Sequence, residues 1–346
     1  MPVTLLLLSI TFLLSVIAIY MLINICHKKS ILSLPNERSA HKKPTPAIGG
    51  LGFILVFYFM TIVCWQFYFK DELIFLKIMS LCFPIALLGL WDDFKELSAI
   101  KRLFIQALVA LSAFFWGFRV TIIELPFLTL DFNIISIVST SLFIISLCNF
   151  FNFIDGLDGY LGGITIIGLG FLSIFFLIAD QFSGFFLCTL LVATLMGFML
   201  WNYPKAKIFM GDVGSCFLGC FIALMAIQCD MNQQLSLVIP MILFATIILD
   251  CTFTLGIRLF NKKKIWEGHR EHFFQKLFVI LGSQKHVLYV GYLLTLCHGI
   301  AAMFYFKSSK EIRLSILLVV ILLNLCKYIW IHFIFKKCQI QQKTTT

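Results

Sequence analysis

The chain has 346 residues, 60% of them hydrophobic and only 13% charged, with a formal net charge of +10. A soluble globular domain is about a quarter charged. That shortfall, with a mean hydropathy of +0.98, excludes the soluble class and points to a polytopic membrane protein.

A bilayer span needs about 20 mostly apolar residues. In chain order such runs occupy 3–26, 47–69, 73–91, 102–118, 133–153, 160–179, 183–201, 213–229, 235–256, 286–306 and 312–335. They are continuous and rich in Leu, Ile and Phe, without the alternation of a membrane barrel, so an all-α protein of about eleven transmembrane helices is expected, as one domain over 1–346. The first run is followed, not preceded, by His27, Lys28 and Lys29 and has no small-residue cleavage site. It is read as a retained helix with its N-terminus outside.

With that orientation, 20 of the 27 Lys and Arg residues fall in inner loops or the tail, six in outer loops, and Lys327 inside the last run. This is the positive-inside bias. It accounts for the net charge without nucleic acid, and places the polar loops on the cytoplasmic face. The twelve cysteines are scattered, mostly within spans and without a CxxC pair, and are read as packing residues.

The run at 73–91 ends in Asp92 and Asp93. A helix C-terminus already carries partial negative charge, and two adjacent carboxylates repel. A solvated loop start is one explanation; a shared Mg²⁺, or Mn²⁺ in its place, is the better one once three more inner aspartates stand at helix ends. The next polar break, "NFFNFIDGLDGY" at 149–160, carries Asn152, Asp155 and Asp158. At a spacing of three these share one face of a helix, and Gly156 and Gly159 permit close approach beside them. In "KIFMGDVGSCFLG", Asp212 precedes a glycine turn and a helix expected to start near Val213–Ser215. It is placed to cap that helix, whose free amides suit a phosphate.

Asp250 lies inside the run 235–256, eight residues or roughly 12 Å before Arg258. It is read as bonding within the bundle more readily than as reaching the inner face. The last inner loop, "EGHREHFFQKL", carries His269, Arg270, His272 and Gln275. Arg and protonated His donate to phosphate oxygens and suit a diphosphate, whereas Lys262–Lys264 read as an ordinary basic loop.

Five segments in order, "SAHKKPTPAIGG", "GLWDDFKELSAIKRLFIQ", "NFFNFIDGLDG", "WNYPKAKIFMGDVGS" and "GHREHFFQ", give the chain a resemblance over about 30–285 to the polyprenyl-phosphate N-acetylhexosamine-1-phosphate transferases, glycosyltransferase family 4. That group includes phospho-MurNAc-pentapeptide translocase and undecaprenyl-phosphate GlcNAc-1-phosphate transferase. The resemblance implies transfer of a sugar-1-phosphate from a UDP-N-acetylhexosamine to undecaprenyl phosphate, with Mg²⁺ and release of UMP, in the bacterial inner membrane. It implies catalytic roles for Asp92 and Asp93, the family's DD pair, and for Asp155 and Asp158, its D-G-x-D-G aspartates. Asp212, with Asp92, would hold the metal. Asn152 and Asn202 would lie near the nucleotide and metal, Arg102 near the lipid phosphate, and His269, Arg270 and His272 by the diphosphate or sugar. His-Arg-Glu-His replaces the consecutive histidines of the MurNAc-pentapeptide branch, so the chain looks more like the branch that initiates O-antigen.

An acceptor phosphate with a second pKa near ~6 is mostly dianionic at neutral pH. Direct attack therefore needs no general base, and an aspartyl-phosphate route stays open. Alternatives are the MurNAc-pentapeptide reaction and, from another class, a secondary transporter. A transporter gathers its groups near the midplane of related halves, whereas these aspartates sit at inner helix ends. Transferred sugar and a homodimer stay open at this stage.

Overall fold

Apolar runs in hydrocarbon must satisfy their backbone groups internally, and the computed structural model, which describes residues 2–33, 44–231, 234–264 and 269–344, is accordingly almost all helix. In chain order these are α1 (Pro2–Lys28), α2 (Gly49–Tyr68), α3 (Ile74–Phe94), α4 (Ala99–Phe115), α5 (Ser136–Ile154), α6 (Tyr160–Ile178), α7 (Phe182–Asn202), α8 (Gly211–Met231), α9 (Val238–Leu243), α10 (Ala245–Phe260), α11 (Phe273–Leu281), α12 (Gln284–Lys307) and α13 (Lys310–Thr344).

Among the described residues nine helices are long and apolar enough to cross a membrane. The other two expected spans are met by shorter elements. The run at 102–118 becomes α4, of 17 residues. That at 235–256 becomes α9 and α10, of 6 and 16 residues, interrupted at Phe244, which caps both. Strands β1 (Ile122–Glu124) and β2 (Thr129–Asp131) form an antiparallel hairpin pairing Ile123 with Leu130. The hairpin follows the C-terminus of α4, at the end of the bundle away from the aspartates.

The centre of the bundle is α8, with 94% of its span buried. A helix that is apolar on every face belongs inside, and α8 is packed by α3, α5 and α2. Phe57 meets Phe217 and Phe221 edge-on, with centroids 5.9 and 5.5 Å apart, a favoured aromatic geometry. The approach of α3 to α8 depends on Gly89, where any Cβ would collide with the Asp212 carbonyl. That contact sets the C-terminus of α3 beside the first turn of α8.

Candidate active site

The site is built around the start of α8. Gly49 and Gly50 donate backbone N–H groups to the carbonyls of Phe209 and Met210, both at 2.8 Å, and Phe209 N–H donates to Pro46 O at 2.8 Å. The "TPAIGG" segment is thus a clamp on the residues that lead into Asp212. Its neighbours Ser39–Lys43 lie outside the described residues.

The first free amides of α8 are capped from another helix. Asp93 at the end of α3 accepts from Asp212 N–H at 2.8 Å through Oδ1 and from Val213 N–H at 3.0 Å through Oδ2. The expectation that Asp212 is itself the cap is corrected. The helix begins earlier, at Gly211, so Asp212 lies in its first turn with its side chain available for other contacts. Asp93, expected in a catalytic role, has both oxygens engaged as a cap, the favourable place for a carboxylate at a helix N-terminus.

Asp92 and Asp212 converge on Arg102, at the start of α4. Arg102 Nη1 is 3.0 Å from Asp92 Oδ2 and 3.8 Å from Asp212 Oδ2. Leu97 N–H holds the other Asp92 oxygen at 2.6 Å. Asn152 Nδ2 donates to Asp212 Oδ1 at 2.8 Å and to Ser215 Oγ at 3.2 Å. Asp212 is therefore fixed from one side and open toward Arg102 on the other.

Asn152, Asp155 and Asp158 do not share a helix face as the spacing suggests. Helix α5 stops at Ile154 with Asp155 as its C-cap, and the chain turns to Gly159, whose φ of 73° starts α6. The turn still brings all three to the same end of the bundle. Asp158 accepts from Ala206 N–H at 3.0 Å and so ties the α7–α8 loop. Among the described residues the Asp155 carboxyl makes no hydrogen bond, and burial, with Asp212 and Asp158 nearby, pushes its pKa up to about 8. Asn202 is 5% exposed; it accepts from Gly159 N–H and donates to Ile208 O, both at 2.8 Å. It braces the loop from inside and is not presented to solvent.

The histidine loop closes this end. An added Cβ at Gly156 would fall 3.1 Å from the Phe274 ring, and Phe274 stacks on Tyr160 at 5.1 Å, so α11 is seated on the turn that carries Asp155 and Asp158. His272 is 2% exposed and donates or accepts at 3.1 Å with Asp250 Oδ1. His269 lies on it, ring centroids 4.9 Å apart. Burial, then His272 and Arg258, push the His269 imidazole down to about 4. Arg270 is exposed. Glu271, not singled out in the sequence, is held by Arg258 at 3.0 Å and Lys263 at 2.8 Å; its opposite-charge neighbours were the available signal.

The donor set fits a hard divalent cation. Asp92 and Asp212 are oxygen donors crowded round one guanidinium nitrogen, and among the described residues the half-buried Asp155 has no ion-pair partner. Among the described residues no three His, Cys, Asp or Glu side chains form a metal cage. Mg²⁺ does not require one, since it is usually held by one or two carboxylates with water and substrate phosphate completing the shell.

The family model of glycosyl transferase family 4 matches residues 75–230, a stretch that holds every aspartate of this site and ends before Asp250 and the histidine loop. Over 293 residues the chain is 31% identical to the probable undecaprenyl-phosphate N-acetylglucosaminyl 1-phosphate transferase of Bacillus subtilis (strain 168), covering 84% of this chain and 80% of that protein. It is 30% identical over 212 residues to the undecaprenyl-phosphate alpha-N-acetylglucosaminyl 1-phosphate transferase of Thermotoga maritima, covering 61% and 60%. A phospho-N-acetylmuramoyl-pentapeptide-transferase of Lactococcus lactis subsp. cremoris is 27% identical over 245 residues, covering 66% and 74%.

Proposed function

The chain belongs to glycosyl transferase family 4, and from that premise we propose that it transfers a sugar-1-phosphate from a UDP-N-acetylhexosamine to undecaprenyl phosphate, releasing UMP. The observation that carries this reading is the convergence of Asp92 and Asp212 on Arg102, beside the uncompensated Asp155, at one end of a membrane bundle. Anionic donors need a cation, and a diphosphate substrate supplies the remaining oxygen ligands.

In this account an oxygen of the lipid phosphate attacks the β-phosphorus of the donor. The bond from that phosphorus to the bridging oxygen breaks, and UMP leaves with the oxygen. Asp212 and Asp92, joined by Asp155, would hold Mg²⁺, which when bound neutralises charge developing on the diphosphate. Asn152 fixes the orientation of Asp212 by its 2.8 Å bond. Arg102 stands at the start of α4, beside the carboxylates, where it can meet the lipid phosphate while still balancing them. His269 and Arg270 face the donor from the α10–α11 loop. The dianionic acceptor needs no general base, which agrees with Asp93 being engaged as a cap; we favour direct attack over an aspartyl-phosphate.

The inner loops carrying these groups hold most of the Lys and Arg, so the site faces the cytoplasm of a bacterial inner membrane. The His-Arg-Glu-His loop, lacking consecutive histidines, favours a simple N-acetylated sugar over a MurNAc-pentapeptide donor. The product would start an O-antigen or another envelope polysaccharide. The test is UMP release by the purified protein with undecaprenyl phosphate, Mg²⁺ and a panel of UDP-N-acetylhexosamines. Release with one donor, abolished by EDTA, is expected; no release with any of them from folded protein contradicts the reading.

A further inference from the structure

Asp250 sits in the apolar helix α10 and is 5% exposed. A buried carboxylate is costly unless it is hydrogen-bonded. Here a single oxygen, Oδ1, lies 3.0 Å from Phe273 N–H, 3.1 Å from Thr254 Oγ1 and 3.1 Å from His272 Nδ1. Thr254 belongs to the same helix. The other two belong to the start of α11, where a backbone N–H has no partner within its own helix. A side chain more than 20 positions upstream thus caps α11 and holds the ring of its N-cap residue.

An ionised Asp250 carboxylate can only accept, so this 3.1 Å contact assigns the Nδ1-protonated tautomer to His272. The ring is further fixed by Phe153 and Phe274, each with its centroid 6.1 Å away. Two turns along α10, Arg258 binds Glu271 at 3.0 Å and the Lys264 carbonyl at 2.6 Å. One helix therefore pins residues 264, 271 and 272, while His269 rests on the His272 ring. Phe153, against that ring, directly follows Asn152, which holds Asp212. The stack thus joins Asp250 to the aspartate cluster.

We propose that Asp250 is a positioning residue of the transfer reaction. Acting through His272, it fixes where His269 stands against the donor. The proposal rests on the sugar-phosphate transfer reading above. A residue that only stabilises the bundle would lower activity and thermal stability together, independently of His269. A positioning residue lowers turnover through His269, and its loss is masked when that ring is gone.

The experiment is a double-mutant cycle on full-length protein in detergent, using UMP release with undecaprenyl phosphate and the accepted UDP-sugar. Asp250→Asn is expected to lower kcat on the order of 10-fold to 100-fold, by analogy with the loss of a partner that orients a metal-bound histidine. Asp250→Glu should recover part of that loss. Asp250→Asn in the His269→Ala background should cost little more than His269→Ala alone. Wild-type turnover in Asp250→Asn, or losses that multiply in the double variant, would overturn the proposal. A second readout needs no activity: the ¹⁵N spectrum of histidine-labelled protein, with His272 assigned from His272→Gln. An Nδ1-protonated His272 in the wild type is expected, changed by Asp250→Asn. An Nε2-protonated ring, or a signal indifferent to Asp250→Asn, overturns the positioning role. If the wild type transfers nothing, the reaction reading fails while this spectrum still decides the Asp250–His272 link; if Asp250→Asn does not fold, the wild-type tautomer and Asp250→Glu decide it.

Discussion

The aspartate end of α3, α5 and α8 and the histidine loop on α10 and α11 touch each other, yet they balance charge in opposite ways. Among the described residues of the loop both acidic groups, Asp250 and Glu271, are matched. Asp250 has His272 and two further donors, with the Lys327 ammonium nearby over the Phe273 ring at 4.1 Å, and Glu271 has Arg258 and Lys263. Among the described residues, Arg102 alone bridges Asp92 and Asp212, and Asp155 has no hydrogen bond. A saturated network holds a shape. An under-neutralised one, at a membrane-protein helix end where charge is expensive, is where a ligand must bring the missing charge.

Several substitutions can break or sharpen that contrast. The largest effect is expected at Asp212, the carboxylate open to a ligand. Asp212→Asn should cut UMP release by about 10³-fold or more, since metal charge stabilisation is worth several kcal/mol, and EDTA should do the same to the wild type. Residual activity within tenfold would remove Asp212 from the metal role. Next comes Arg102→Gln. Losing charge-assisted bonds of about 1.5–3 kcal/mol should lower kcat/KM for undecaprenyl phosphate by on the order of 10-fold to 100-fold, with Arg102→Lys intermediate. An unchanged lipid dependence would show that the bridge is only structural.

Asp93 sits at the border of the two modes: both its oxygens accept backbone N–H bonds, while its carboxyl stays half-buried beside the like charge of Asp212. Asp93→Ala should cost about 0.5–2 kcal/mol of stability as a lost cap, and Asp93→Asn, which keeps an accepting oxygen, less. Thermal unfolding in detergent measures both; an inactive Asp93→Asn of wild-type stability would instead point to direct chemistry.

The smallest change expected is a pH-dependent one at Asp155. Its pKa of about 8 in the folded chain stands above the ordinary carboxylate value near ~4. The folded state keeps a proton that the unfolded state has lost, so this group's contribution is complete below about 4 and fades as pH rises to about 8. In chelated protein, Asp155→Asn should therefore gain a few degrees of melting temperature over wild type at pH 8 and nothing near pH 4. Added Mg²⁺ should erase the gain. A difference that does not change with pH would refute the charge deficit.

Much of this was legible in the sequence for a physical reason: a bilayer dictates the length and apolarity of each helix, so most spans and the gathering of polar loops at one end follow directly. What failed to show was pairing across the fold. Asn152 and Asn202 are expected near the nucleotide and metal; what the spacing did not show is that they brace Asp212 and Gly159, through partners 60 and 43 positions away. His272 read as a phosphate ligand and is buried on Asp250. The common face of Asn152, Asp155 and Asp158 failed because α5 stops at Ile154. A spacing argument assumes a continuing helix, and the glycines that raised the question also end it. Asp250 reads as bonding within the bundle more readily than as reaching the inner face; it bonds Thr254 of its own helix and also His272 and Phe273 of the inner histidine loop, a pairing set by packing that no local pattern encodes.

If the proposed reaction runs, phosphate travels with the sugar from a nucleotide to a lipid in the membrane. Donor carrying ³²P at the β-position, incubated with the purified protein, undecaprenyl phosphate and Mg²⁺ and then extracted into organic solvent, tests it most directly. Label is expected in the lipid phase in equal measure with UMP formed, and none with Asp212→Asn. Label that stays with the nucleotide in the aqueous phase, or sugar that reaches the lipid without it, would contradict the account.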